Sequence, residues 1–206
     1  MEEREESCRT FTMILLEEPL TSSVPGMDRQ QQISASELIE KYGERIIPLL
    51  LENFATVSSA LGTMSIATRA KREEVKLALS LMTSASEALK NLCAKGGVLV
   101  CQRLTNNYNG VKIIFDLVNV LASFNTSATP QSDATEDDTD EIVEAVVGVL
   151  IQLILVLTEL AENCEKSLEL ITKSGVAFKF LDLIFSAAEE QSNASGIFQY
   201  NLIHHI

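Results

Sequence analysis

The chain has 206 residues, 46% of them hydrophobic, and a formal net charge of −13 from 29 acidic against 16 basic side chains. Length and apolar fraction suit one globular domain with a substantial core, while the shortage of Lys and Arg excludes the clustered basic surface that binding a nucleic-acid backbone requires. A basic partner is the natural electrostatic complement.

Residues 1–34 combine an acidic start, an isolated apolar patch at 11–16, Pro19, Pro25-Gly26 and a glutamine run, with no sustained period. This pattern predicts a mostly disordered arm. The patch is too short for the core of a secretory signal and follows acidic residues where a signal is basic, so the expected location is cytoplasm and nucleus. From Ser36, a plausible N-cap, the apolar residues Leu38, Ile39, Ile46, Ile47, Leu50 and Leu51 recur at helical spacing, and Pro48 either splits this segment or opens a second helix. Residues 52–70 have a weaker period and read as helix or as an inserted connection. A long helix then runs through Val75, Ala78, Leu81, Met82, Ala85, Leu89 and Leu92 to a stop at Gly96-Gly97, where glycine supplies the left-handed conformation of a C-cap. Beyond it Val98, Cys101 and Leu104 make a short apolar face, residues 106–110 turn, and Val111, Ile114, Phe115, Val118 and Leu121 form another helix.

Residues 123–140 are polar, contain Pro130 and grow steadily more acidic, which predicts an extended, hydrated loop. Its last carboxylates precede the next helix, where negative charge meets the positive end of the helix dipole. The loop therefore reads either as a solvated linker with a good helix start or as a contact for a basic partner. The helix over 141–163 is apolar almost all round and is expected between neighbours on several sides; its most apolar part, 142–157, falls short of the roughly 20 residues of a membrane span. Leu168, Leu170 and Ile171, the turn Ser174-Gly175, and then Val176, Phe178, Phe180 and Leu181 repeat the order seen after the first long helix. Gly110-Val111 and Gly175-Val176 are equivalent, and without the acidic insertion their separation is about 45 residues, an armadillo or HEAT period. The expected fold is all-α: an armadillo/HEAT-type right-handed α-solenoid over 35–206 with an acidic loop insertion at 123–140. Ile197, Phe198, Leu202 and Ile203 end the chain without a polar cap, which predicts an uncovered apolar face that either self-associates or needs missing neighbours.

No grouping for catalysis is present. The two histidines, His204 and His205, are adjacent at the end and lack metal-ligand spacing. Cys8, Cys93, Cys101 and Cys164 are scattered without a paired motif and read as reduced, the last three as small core hydrophobes. Gly96-Gly97 lacks the Lys-Ser/Thr of a phosphate loop, and consecutive carboxylates in a loop are not the unlike, partly buried pair that acid–base chemistry uses. The expectation is a protein that is not an enzyme and uses no metal or cofactor.

The run 88–97, ALKNLCAKGG, followed by Val100-Cys101 and the helix from Val111, resembles the opening armadillo repeats of the symportin family, also called HEAT-repeat-containing protein three. That family carries an acidic insertion between this repeat and the next, matching 123–140, and its next repeat resembles Leu157-Thr158-Glu159-Leu160-Ala161-Glu162 and Lys173-Ser174-Gly175. The resemblance spans roughly residues 36–187. It implies an adaptor and chaperone that escorts basic ribosomal proteins of the 5S particle to the nucleus for assembly of the large (60S) subunit, with an import receptor as a further partner. Contact with nucleic acid or membrane is not expected. It also implies that Asn91 and Glu159 line the groove and that Asp133, Glu136, Asp137, Asp138, Asp140 and Glu141 meet a basic client. This chain opens with acidic residues where the family has a basic segment, carries Thr158-Glu159 where the family offers Trp-Asn, and lacks the family's long C-terminal HEAT array, so it reads as a fragment, a short isoform or an imperfect gene model. A generic armadillo scaffold for another client is the alternative reading.

Overall fold

A computed structural model describes residues 1–16, 35–63, 69–123 and 136–181. The described residues are almost entirely helical and contain no strand. In chain order the helices are α1 (Glu2–Leu16), α2 (Ala35–Thr63), α3 (Arg69–Tyr108), α4 (Gly110–Ser123), α5 (Glu136–Asn163) and α6 (Glu165–Ser174), and helix resumes at 176–181 after Gly175.

The N-terminal arm is the first departure from expectation, because residues 2–16 form a packed helix and are not disordered. Glu2, Glu3 and Glu5 lie in its first turn, where the helix dipole favours negative charge, and Glu5 pairs with Arg9 one turn on at 2.5 Å. Its inward stripe is Cys8 and Thr12, both buried, with Phe11 half-buried beside them. Polar contacts complete the docking: Ser80 of α3 donates to Glu5 at 2.8 Å, the Asn53 amide of α2 donates to the Cys8 sulfur at 3.4 Å, and Arg4 reaches Glu52 at 3.4 Å. Residues 17–34 lie outside the described residues.

Pro48 does not break α2. A proline cannot donate to the carbonyl four residues back, and that carbonyl, of Glu44, instead accepts from the Tyr108 hydroxyl at 3.3 Å. Past Pro48, Phe54, Val57 and Leu61 fall on one buried side, so the weak period over 52–63 belongs to a helix.

Gly96 and Gly97 bend α3 for two separate reasons. Gly97 has φ 50 and ψ −139, a conformation that side chains disfavour, with helix on both sides of it. At Gly96 a Cβ would come within 2.8 Å of the Val100 Cβ, so the bend needs that position bare. The segment that follows buries Val100, Cys101 and Leu104, whereas Val98 is 54% exposed, so the expected face is shifted by two residues at its start. The same correction applies to α6. Leu168 and Leu170 are exposed and Ile171 only half-buried; Ser167 is the buried side chain.

α3 packs against α1, α2 and α5, and α2 packs also on α4. Residues of 69–123 meet residues of 136–181 at a nearly constant sequence separation. Lys76 reaches Glu141 at 65, Thr105 and Ser167 share a hydrogen bond at 62, Lys166 donates to Asn106 at 60, and Lys179 donates to Asn119 at 60. Lys76 meets Glu141 near the start of α3 and α5 and Cys101 meets Glu159 near their ends, so the two helices run in the same direction, and Lys179 on Asn119 brings together the segments that follow Gly110 and Gly175.

α5 is less enclosed than its composition suggests. Ile142, Val149, Leu153, Val156 and Leu160 are buried, but Val146, Val147, Ile151, Ile154 and Leu155 are only half-covered. Glu144–Asn163 is long and apolar enough to cross a membrane by length and composition, which corrects the shorter estimate for this segment, and 33% of its apolar window is buried here. The expected apolar cluster at Ile197, Phe198, Leu202 and Ile203 lies outside the described residues.

Candidate functional site

Asn91 stands on α3 one and a half turns before the bend, 6% exposed, and its amide nitrogen Nδ2 is buried without a hydrogen-bond partner. A buried donor left unmade costs about 1–3 kcal/mol, so the folded chain carries an unmet demand for an acceptor at this point. Nothing in the apolar period marks Asn91 for this. Helical spacing places it beside Ala88 and Leu92, both fully buried, and it is the polarity of the amide within that surface that singles it out.

Glu159 occupies the corresponding stretch of α5 and is half-buried. Its backbone carbonyl accepts from the Asn163 amide at 2.9 Å and from the Cys101 thiol at 3.7 Å, and its carboxylate lies 3.5 Å from the same Asn163 amide. The Cys93 thiol is pushed well above its ordinary range by its hydrogen bond with Cys101, by burial, and by the negative charge of Glu159. Asn91 and Glu159 thus stand on α3 and α5, two helices packed on each other, the first with a buried unpaired amide and the second with a half-buried carboxylate.

The acidic tract is arranged differently from the expected loop. Glu136, Asp137, Asp138 and Asp140 belong to the first turns of α5, so the helix begins inside the segment assigned to the loop. The cause is the helix dipole, since a run of carboxylates at an N-terminus stabilises the helix that follows. Asp133 lies outside the described residues. Glu141 is exposed and already faces a cation of its own chain, with Lys76 Nζ at 2.5 Å, and Lys76 also lies 3.7 Å from Glu73. An exposed pair of this kind is worth about 1 kcal/mol or less, so it leaves Glu141 able to exchange Lys76 for another cation.

Eighteen residues of helix separate Glu141 from Glu159, which at 1.5 Å per residue is roughly 27 Å. The two predicted contact regions are therefore opposite ends of one helix and do not form a single pocket. An extended chain rises about 3.3 Å per residue, so about eight residues of a partner would be needed to touch both.

Sequence reasoning gave no sign of a second feature, a cavity of about 360 Å³ between α1 and α2 whose walls include Cys8, Phe11, Ile46, Leu49 and Leu50, with Arg4 at its rim. It shares none of the predicted site residues. Among the described residues no group of three or more His, Cys, Asp or Glu is placed to hold a metal ion.

No protein-family model, curated protein or solved structure matches this chain.

Proposed function

We propose that the chain is a protein-binding scaffold of the armadillo type, a right-handed α-solenoid in which α1, α3 and α5 form the inner layer and take up an extended basic segment of a client. The near-constant sequence separation of the contacts between 69–123 and 136–181 supports the repeat reading. The observation that carries the binding reading is the buried, unpartnered amide of Asn91 on α3, with the Glu159 carboxylate on α5, the helix packed against it. An amide donor suits a peptide carbonyl, a carboxylate suits Lys or Arg, and the acidic start of α5 extends the same preference along the helix.

Within that reading the client class is a basic ribosomal protein of the large subunit, of the kind assembled in the 5S particle, met in cytoplasm and nucleus. Resemblance of 88–121 and 157–175 to the symportin family favours this choice, as does the net charge of −13, which complements a protein built to bind RNA. The chain would cover the client's cationic surface until RNA replaces it.

Two measurements bear on this. Proteins co-purifying with the chain from its own cell extract are expected to be enriched in large-subunit ribosomal proteins; enrichment of unrelated proteins would instead favour a scaffold with another client. Replacing Glu136, Asp137, Asp138, Asp140 and Glu141 by Asn and Gln should slow association with a purified basic client and flatten its salt dependence. Because these residues start α5, the same change should also cost stability, about 0.3–1 kcal/mol for each charge in the first turn. Unchanged association rate and salt slope would leave the tract as a helix start only.

A further inference from the structure

The cavity between α1 and α2 has an apolar body and a polar rim. Phe11, Ile46, Leu49 and Leu50 supply the body, and Leu49 is 60% exposed, so the cavity opens to solvent beside it. A volume of about 360 Å³ falls at the lower end of the range for small-molecule pockets. The rim holds two donors that are poorly served. Arg4 reaches Asn53 Oδ1 at 3.3 Å, and Thr56 Oγ1 and Glu52 Oε1 at 3.4 Å. All three exceed the roughly 2.7–3.2 Å of a well-made N–H···O bond. Asn53 is 8% exposed, and its Nδ2 gives its hydrogen to the Cys8 sulfur, a weak acceptor, at 3.4 Å. A guanidinium and a buried amide thus stand side by side at an apolar cavity, each with hydrogens that an oxygen anion accepts better than the present partners do.

We propose that this cavity binds a free medium-chain fatty acid, with its tail among Phe11, Ile46, Leu49 and Leu50 and its carboxylate on Arg4 and the Asn53 amide. The tail takes apolar wall away from water, and the two carboxylate oxygens accept from both donors. At about 30 Å³ for a group the size of a water, 360 Å³ holds about twelve heavy atoms, those of an acid about ten carbons long. Glu52 is the internal rival. Its side chain is 58% exposed and shares Arg4, so the guanidinium exchanges one carboxylate for another when the acid binds. The site uses none of the residues assigned to the client face, and a bound acid touches α1 and α2 together.

Isothermal titration of the full chain with sodium hexanoate, octanoate, decanoate and dodecanoate, each below its micelle concentration, tests this. One molecule per chain is expected to bind, with affinity rising about fifteenfold for every two methylenes up to decanoate and little beyond it. Decanol should bind about tenfold more weakly than decanoate, and Arg4→Gln should erase that preference. Glu52→Gln removes the rival carboxylate and should tighten decanoate binding, a gain that poor folding cannot imitate. Ser7→Phe sets a ring into the cavity from an exposed position of α1 and should abolish binding while circular dichroism stays helical. Absence of saturable binding to the parent chain would overturn the proposal, as would equal affinity for decanol or a Glu52→Gln chain that binds no tighter. Persistent binding by a helical Ser7→Phe chain would place the acid on another apolar surface, such as the half-covered side of α5, and would overturn it too.

Discussion

Leu89→Ala is expected to lower the free energy of unfolding by about 3–5 kcal/mol, the largest effect anticipated for a single substitution of this kind. Leu89 is fully buried on the helix that packs between α1, α2 and α5, so truncation opens a cavity that no single neighbour is free to fill. Ten residues on, beyond the bend, Leu99 is 48% exposed. Leu99→Ala should therefore stay within about 0.5 kcal/mol of the parent. Urea unfolding of both variants separates the two positions, and equal losses would mean that the bend does not turn Leu99 outward.

Gly97→Ala is expected to cost about 1–3 kcal/mol, and Gly148→Ala to stabilise by about 1 kcal/mol. Space is not the reason for either, because an added Cβ meets nothing closer than 3.9 Å at Gly97 and nothing within 4 Å at Gly148. The difference is the backbone. Gly97 has φ 50 and ψ −139, which a side chain resists, whereas Gly148 lies inside α5, where alanine restricts the unfolded chain and favours the helix. The same substitution at two glycines should thus act in opposite directions, read as shifts of the urea midpoint to lower and higher concentration. Stabilisation by both would place Gly97 in ordinary helix and remove the bend from α3.

The parts of this fold that were legible in the sequence are those where composition and geometry agree. The glycine pair at 96–97 announces a break because only glycine tolerates what the backbone does there, and the apolar period of α4 matches its buried residues Val111, Ile114, Val118 and Leu121. α1 was hidden because its buried residues are only Cys8 and Thr12, while Asn53 donates to Cys8 and Ser80 to Glu5, and a helix docked largely by polar contacts leaves no hydrophobic period to find. The carbonyl that Pro48 leaves free in α2, that of Glu44, is met by Tyr108, sixty-four residues further on, and no local pattern can announce so distant a partner. In the candidate site, Asn91 and Glu159 were reached through resemblance, while the missing partner of the Asn91 amide emerges only once its neighbours are in place. The start of α5 was misjudged because like charges in sequence suggest an extended loop, and only the helix they precede supplies the dipole that reverses the balance.

One paired measurement on Asn91 tests the proposed binding face most directly. Asn91→Leu removes a buried donor that has no partner and substitutes an apolar side chain of similar size, so the free protein should be as stable as the parent or more so by up to about 1 kcal/mol. Binding should behave in the opposite way. With the amide gone, the carbonyl of a bound segment is buried unpaired, and the affinity for a fluorescently labelled Lys/Arg-rich peptide about ten residues long, read by anisotropy at fixed salt, should fall about tenfold or more. Preserved stability with that loss of binding is the predicted result. Unchanged affinity in a stably folded Asn91→Leu chain would contradict the proposed binding face.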